Sequence, residues 1–229
     1  VTIFEAASKA GGMLRYGIPS FRLNSEQLDR EISLLESLGV DIKTGMTMGK
    51  DFTLDALKEE GYKAFFIGIG AQKGLRLDIR GESSTDACFD AVSFLKEQQR
   101  YKKHLAGKKV AVIGGGFTAV DTARTAVRLG AKEVFILYRR TKEEMPATPE
   151  EVWEAEEEGV KVMYLVAPVE IVVKAGRLTG IRLINYILEQ QVDTSGRRRP
   201  IEVPGTEFVL TTDCVITALG QWVEVDGLP

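Results

Sequence analysis

Paired thiols, a basic excess and membrane-length apolar runs are all missing from this sequence, and histidine is nearly so. Its 229 residues include two cysteines, Cys88 and Cys214, in no C-x-x-C pair. A dithiol redox centre is therefore excluded, and no cysteine spacing suits an iron–sulfur cluster. Both thiols are expected in the core, and such usage agrees with a reducing, cytoplasmic setting. The single histidine, His104, lies in a polar stretch before Gly107 and reads as a surface residue. The formal net charge is −3, from 30 Lys and Arg against 33 Asp and Glu. That balance argues against a nucleic-acid partner, whose phosphates call for a strongly basic face, but not against a mononucleotide, which needs only a few local cations. No apolar run is long enough to span a membrane, and no signal peptide is seen. There is no Met at position 1: Val1-Thr-Ile-Phe4 starts inside a strand pattern, and Asp226-Gly-Leu-Pro229 ends as abruptly. The expectation is a piece of a longer protein.

Hydrophobic residues make up 44 % of the chain, enough for a sizeable core. A short strand ends at Glu5 and is followed by a loop of small residues. Asn24 and Gln27 frame a capping box for a helix to Leu38, with Leu28, Ile32, Leu35 and Leu38 on one face. A strand over 40–43, a helix over 54–60 and a buried strand over 64–69 follow. Residues 71–86 lack periodicity and read as a domain crossing. A helix is expected over 90–102 and a buried strand over 110–113, then a helix to Leu129 and a strand over 133–138. Thr148-Pro-Glu-Glu151 caps another helix, with Pro at its first position. Strands over 160–165 and 170–174 come next. Segments 177–187 and 201–210 pair as a hairpin around Ser195-Gly-Arg-Arg-Arg199, and a last strand covers 214–217.

Gly114-Gly-Gly-Phe-Thr-Ala119 fits G-x-G-x-x-A. Alone the pattern is weak, and a glycine turn in a non-binding sheet would satisfy it. Here a strand precedes it and an amphipathic helix and second strand follow, the context a dinucleotide site needs. Gly114 permits a tight turn, Gly116 lets a pyrophosphate approach the backbone, and Ala119, Ala123 and Ala126 let the helix lie close on the sheet. The helix start offers free N–H groups and partial positive charge. After the second strand, where a site for NAD carries an acid, this sequence has Arg139-Arg140. Two guanidiniums suit a 2′-phosphate that a carboxylate would repel, so NADPH is expected over NADH; the plainer alternative is a solvated basic pair. Lys142 is a weaker candidate, since Glu143 and Glu144 could satisfy it. Arg197-Arg-Arg199 sits at a hairpin tip and reads as a solvated basic turn.

Val1–Glu5 has the form of the second strand of another dinucleotide fold, with Glu5 where an acid grips an adenosine ribose. One Glu after one strand is common, so spacing alone leaves this open.

These segments resemble, in order and spacing, the NADPH-dependent glutamate synthase small-chain family, which includes the flavin portion of dihydropyrimidine dehydrogenase. The likeness rests on Val1-Thr-Ile-Phe-Glu5, Gly11-Gly12, Tyr16-Gly-Ile-Pro-Ser-Phe-Arg-Leu23, Gly68-Ile-Gly-Ala71, Gly114-Gly-Gly-Phe-Thr-Ala119, Tyr138-Arg-Arg140, Met145-Pro-Ala147 and Ala218-Leu-Gly-Gln221. The resemblance implies an α/β protein: a Rossmann-like NAD(P)-binding domain over 82–229, three-layered and mainly parallel with a β-hairpin or meander addition, and a partial FAD-binding Rossmann-like domain over 1–81. It implies that Glu5, Met13, Arg22 and Met48 line the FAD site, with Glu5 on the adenosine ribose. Gly114, Gly115, Gly116, Phe117 and Thr118 would form the NADPH pyrophosphate turn. Arg139 and Arg140 would hold the 2′-phosphate, and Ala218, Leu219 and Gly220 would border the cleft. The implied activity is hydride transfer from NADPH to FAD and electron transfer onward to iron–sulfur clusters, beside a larger iron–sulfur or amidotransferase-type subunit or domain.

The family's first FAD glycine motif, its later Gly-Asp segment and its amino-terminal iron–sulfur domain are missing, so weak or no FAD binding is expected of these residues alone. An adrenodoxin-reductase-like ferredoxin:NADP reductase shares the layout, although Met145-Pro-Ala147 and Phe21-Arg-Leu23 favour the first family. A non-catalytic nucleotide-binding subunit is a third reading. A thioredoxin-reductase-like dithiol flavoprotein fails on the missing C-x-x-C.

Overall fold

The computed structural model describes residues 1–225; the expected abrupt end at 226–229 lies outside them. The chain divides into two compact units, one from Val1–Lys73 and the residues from Gln221 onward, the other from Gly74–Gly220.

In the first unit, β1 (Thr2–Glu5) leads through α1 (Gly12–Tyr16) and α2 (Ser25–Ser37) to β2 (Asp41–Thr44). The strands pair in parallel, Thr2 against Asp41 and Glu5 against Thr44. Asn24 caps α2 by accepting from the Glu26 amide, and Thr53 caps α3 (Leu54–Glu59) by accepting from the Ala56 amide. The Phe4 ring meets Phe52 at 4.6 Å, and the Tyr62 hydroxyl donates to the Thr2 hydroxyl at 3.1 Å. Two expectations change here. Residues 64–69 form no strand and are exposed, Phe66 at 96 %. No described strand lies alongside to supply a hydrogen-bonded ladder, and an apolar run without a neighbour cannot become a sheet strand. The leucine face of α2 is likewise only partly covered: Leu28 is buried, whereas Leu35 and Leu38 are exposed. β3 (Lys73–Gly74) ends this stretch.

The second unit opens with a 3₁₀ turn and β4 (Cys88–Asp90), a strand the sequence reading missed. The expected single helix over 90–102 is two, α4 (Ala91–Lys96) and α5 (Gln98–Leu105), broken at Glu97 with φ −117° and ψ 28°. Then come β5 (Lys109–Ile113), α6 (Phe117–Arg128), β6 (Glu133–Tyr138), α7 (Pro149–Glu157) and β7 (Val160–Tyr164). A meander follows: β8 (Val166–Lys174), the long β9 (Arg177–Val192), β10 (Arg198–Glu202) and β11 (Phe208–Leu210). β12 (Cys214–Thr217) precedes β13 (Gln221–Trp222), which belongs to the first unit and pairs with β3.

Five strands form a parallel sheet in the order β4-β12-β5-β6-β7. Their near-continuous apolar runs are explained by burial on both faces. Val110, Val112, Val134, Ile136 and Ile216 point into one core with α4, α6 and α7. The alternate residues Ala111, Ile113, Phe135, Leu137 and Val215 point into a second core against the meander, with Val166, Ile171, Ile181 and Leu183. The layers are thus helices, parallel sheet and antiparallel meander, as expected of a Rossmann-like domain with an added meander. Ala119, Ala123 and Ala126 are fully buried in the first core, and their small size sets the approach of α6 to the sheet. Arg124 on α6 is ion-paired with Glu154 and Glu158 of α7 and its cap, which fixes the two helices side by side.

Enlarging a residue on that alanine face forces α6 off the sheet. Ala123→Leu is expected to lower unfolding stability by about 1–3 kcal/mol. Lys102→Ala on exposed α5 should stay within about 0.5 kcal/mol. Urea unfolding compares them.

Candidate nucleotide-binding site

The chain leaves β5 toward β6 on one side, while β12 flanks β5 on the other. In an open parallel sheet such a reversal leaves a crevice at the carboxyl edge, where ligands sit. The glycine turn leaves β5 at this point, and Ala218 leaves β12 beside it, its amide donating to the Ile113 carbonyl at 2.8 Å.

The three glycines have different reasons to be there. Gly114 has φ +141°, and a Cβ on it would stand 2.4 Å from the Ala218 carbonyl oxygen. A Cβ on Gly115 would strike the Tyr138 ring at 2.5 Å. Gly116 has φ −92°, a value any residue adopts, and nothing lies within 4 Å of where its Cβ would be. Packing therefore dictates glycine at 114 and 115 and leaves open space at 116. The amides of Gly115, Gly116, Phe117 and Thr118 have no acceptor among the described residues. α6 has no side-chain cap, and its cap residue Gly116 accepts through its carbonyl from the amides of Ala119 and Val120. Unsatisfied amides, a helix start and an open space together make a place for an anion.

Arg139 and Arg140 part company. Arg139 is exposed, with no ion pair or hydrogen bond among the described residues. Arg140 is 2 % exposed: its Nε donates to the Arg198 carbonyl at 2.8 Å and its Nη2 to the Asp193 carboxylate. The sequence reading has both arginines hold a 2′-phosphate; Arg140 is instead turned to Asp193 and the Arg198 carbonyl. A buried guanidinium must be paired, and the β9–β10 hairpin brings an acid to it. The Ser195 hydroxyl and amide, then Arg140, hold the Asp193 carboxyl down at about 2. Arg198, read as solvated, is ion-paired with Glu144. Lys142 lies 4.0 Å from Glu156 instead of meeting Glu143 or Glu144.

Two groups at the turn escaped the sequence reading. The Tyr138 ring packs on Gly115, and its hydroxyl donates to the Glu144 carbonyl at 2.6 Å. The Ala147 amide donates to the Gly115 carbonyl at 3.1 Å, so the Met145-Pro-Ala147 segment braces the turn. The available signal was an aromatic ending the strand that neighbours a glycine turn. Leu219 and Gly220 are exposed after β12, and the Gly220 carbonyl accepts from the Leu75 amide at 3.1 Å.

In the first unit, Glu5 ends β1 and its Oε1 accepts from the Ala7 amide at 2.7 Å; Oε2 has no partner among the described residues. Met13 lies in α1 with its sulfur against Gly17. Arg22 lies in the turn before α2, its amide donating to the Pro19 carbonyl, and Met48 forms a bridge with Phe52 after β2. Burial, and Glu82 beside it, push the half-buried Cys88 thiol up to about 11, and burial pushes the Cys214 thiol higher still. Neither thiol is a nucleophile at neutral pH.

The glycine turn itself yields a test without any ligand. Gly114→Ala should destabilise the fold, because its Cβ meets a backbone oxygen. Gly116→Ala should be neutral or stabilising by about 0.4–1 kcal/mol, as at any site with compatible backbone and space. Thermal unfolding of the two variants decides.

Comparison with known proteins agrees with this architecture. The chain is similar to the NADP(+)-dependent formate dehydrogenase subunit beta of Moorella thermoacetica, at 44 % identity over 100 % of this chain and 32 % of that protein. It is similar to the NADPH glutamate synthase small chain of Escherichia coli, at 35 % identity over 95 % of this chain and 48 % of that one. The chain thus spans a third to a half of the length of these relatives. In fold it is similar to Mycobacterium tuberculosis FprA, solved in complex with NADPH, with a TM-score of 0.83 and 20 % identity over 100 % of this chain and 66 % of that one. The pyridine nucleotide-disulphide oxidoreductase model matches residues 4–228, and the chain belongs to that family.

Proposed function

We infer that the unit of residues 74–220 binds NADPH within a flavin-dependent oxidoreductase. One observation carries the reading: position 116 has room and a backbone for a side chain, yet holds glycine beside four unsatisfied amides. A pyrophosphate accounts for both facts. The amides of Gly115 to Thr118 would hold it, the partial positive charge of α6 would favour it, and Ala218, Leu219 and Gly220 would border the cleft. Arg139 would contact the 2′-phosphate with a charge-assisted bond. Both curated relatives carry NADP in their names.

The first unit would contribute Glu5, Met13, Arg22 and Met48 to an FAD site, with the unpartnered Glu5 oxygen accepting from a ribose hydroxyl. With both cofactors held, NADPH would supply a hydride to FAD, and the electrons would go on to iron–sulfur clusters of a larger subunit or domain. This chain binds and orients: no general acid or base is assigned. Among the described residues no helix is long and apolar enough to cross a membrane, and the reading retains the expected cytoplasmic location.

Calorimetric titration with NADPH and NADH tests the cofactor choice. The parent chain should prefer NADPH. Arg139→Ala should cut that preference by about 1.5–3 kcal/mol and leave NADH binding unchanged. An unaltered preference would refute the assignment of Arg139.

A further inference from the structure

Arg140 is the largest fully buried side chain of its unit, and a buried cation of that size is retained only with well-made partners. Both of its partners among the described residues lie on one distant feature, the β9–β10 hairpin tip. The tip is itself closely tied: the Asp193 amide donates to the Arg197 carbonyl at 2.8 Å, and the Gly196 amide to the Asp193 carbonyl at 2.9 Å. From the tip, Arg198 reaches back to the Glu144 carboxylate. Glu144 also accepts from the Thr141 amide, and its carbonyl takes the Tyr138 hydroxyl. Tyr138 supports Gly115 with its ring, and Ala147 holds the Gly115 carbonyl. A continuous set of contacts therefore runs from the hairpin tip to the glycine turn.

An open cavity of about 520 Å³ separates the tip from the segment it faces, lined on one side by Glu143, Met145 and Pro146 and on the other by Val192 and Arg197. Directional, charged contacts thus set the position of the tip. Were Arg140 instead to turn toward a ligand, it would break its bonds to the Asp193 Oδ2 and the Arg198 carbonyl.

We propose that Arg140 is a positioning residue: through Asp193 and Arg198 it latches the β9–β10 tip to the 141–147 segment and so fixes the glycine turn for either pyridine nucleotide, leaving 2′-phosphate selection to Arg139. The proposal rests on the nucleotide reading above. It divides the two adjacent arginines by function. Loss of the latch weakens NADPH and NADH alike, whereas loss of Arg139 changes their ratio.

The experiment measures NADPH and NADH affinities of the chain, Arg139→Ala, Arg140→Ala and Asp193→Asn. Amide hydrogen exchange at Ala147 is followed without nucleotide. Arg140→Ala and Asp193→Asn should each weaken both nucleotides by a common factor, roughly 3- to 30-fold, with the NADPH-to-NADH ratio unchanged. Ala147 exchange should accelerate in both. If Arg140→Ala does not fold, Asp193→Asn carries the test, because it keeps the side-chain shape and the bonds to Ser195. Selective loss of NADPH affinity in Arg140→Ala would make Arg140 a phosphate contact and overturn the latch. So would parental affinities and parental Ala147 exchange in Asp193→Asn. If the parent chain binds neither nucleotide, the nucleotide reading falls, and the exchange result alone decides whether tip and turn are coupled.

Discussion

The carbonyl oxygen of Ala218 occupies the space where a side chain at position 114 would begin. That close approach holds the exits of β5 and β12 together at the carboxyl edge of the sheet, and the site depends on it. With Gly114 fixed there, the backbone turns sharply enough for Gly115 to settle on the Tyr138 ring and for α6 to start one residue beyond Gly116. The result is a row of main-chain amides without acceptors among the described residues, with open space at position 116. On the proposed reading, Arg139 is the side chain whose charge would discriminate between nucleotides.

Around this turn the unit divides its labour between apolar and polar contacts. The sheet and α6 are held by two cores of alternating strand residues and by alanines that permit close packing. In the 141–147 segment Met145 and Ala147 are buried in the first core, and hydrogen bonds and ion pairs join the segment to the hairpin tip: Tyr138 to Glu144, Glu144 to Arg198, Arg140 to Asp193. Such contacts are directional, so they specify position more than they add stability.

Much of the second unit could be read directly from the residues. Val110 to Ile113 and Val134 to Tyr138 announce buried parallel strands because both faces are covered, and Gly130 and Pro149 punctuate the helices at fixed offsets. Gly114 is crowded by the Ala218 carbonyl, position 116 is open, and Ala119 is buried against the sheet. What local pattern could not convey was long-range pairing. Arg140 meets an acid 53 positions later, and nothing near either residue marks the match. Residues 64–69 have the composition of a buried strand, but strand formation needs a neighbour, which composition does not supply. The break at Glu97 is equally hidden, since Glu is a good helix former and only the tertiary setting of α4 turns the chain there.

The most direct measurement is a backbone amide NMR titration of the isotopically labelled chain with 2′-phospho-ADP-ribose and with ADP-ribose, neither of which carries the nicotinamide. Both ligands should shift the amides of Gly115, Gly116, Phe117 and Thr118, and only the first should also shift Arg139. Unmoved turn amides at saturating ligand, with shifts confined to other parts of the chain, would contradict a diphosphate seat at the end of β5.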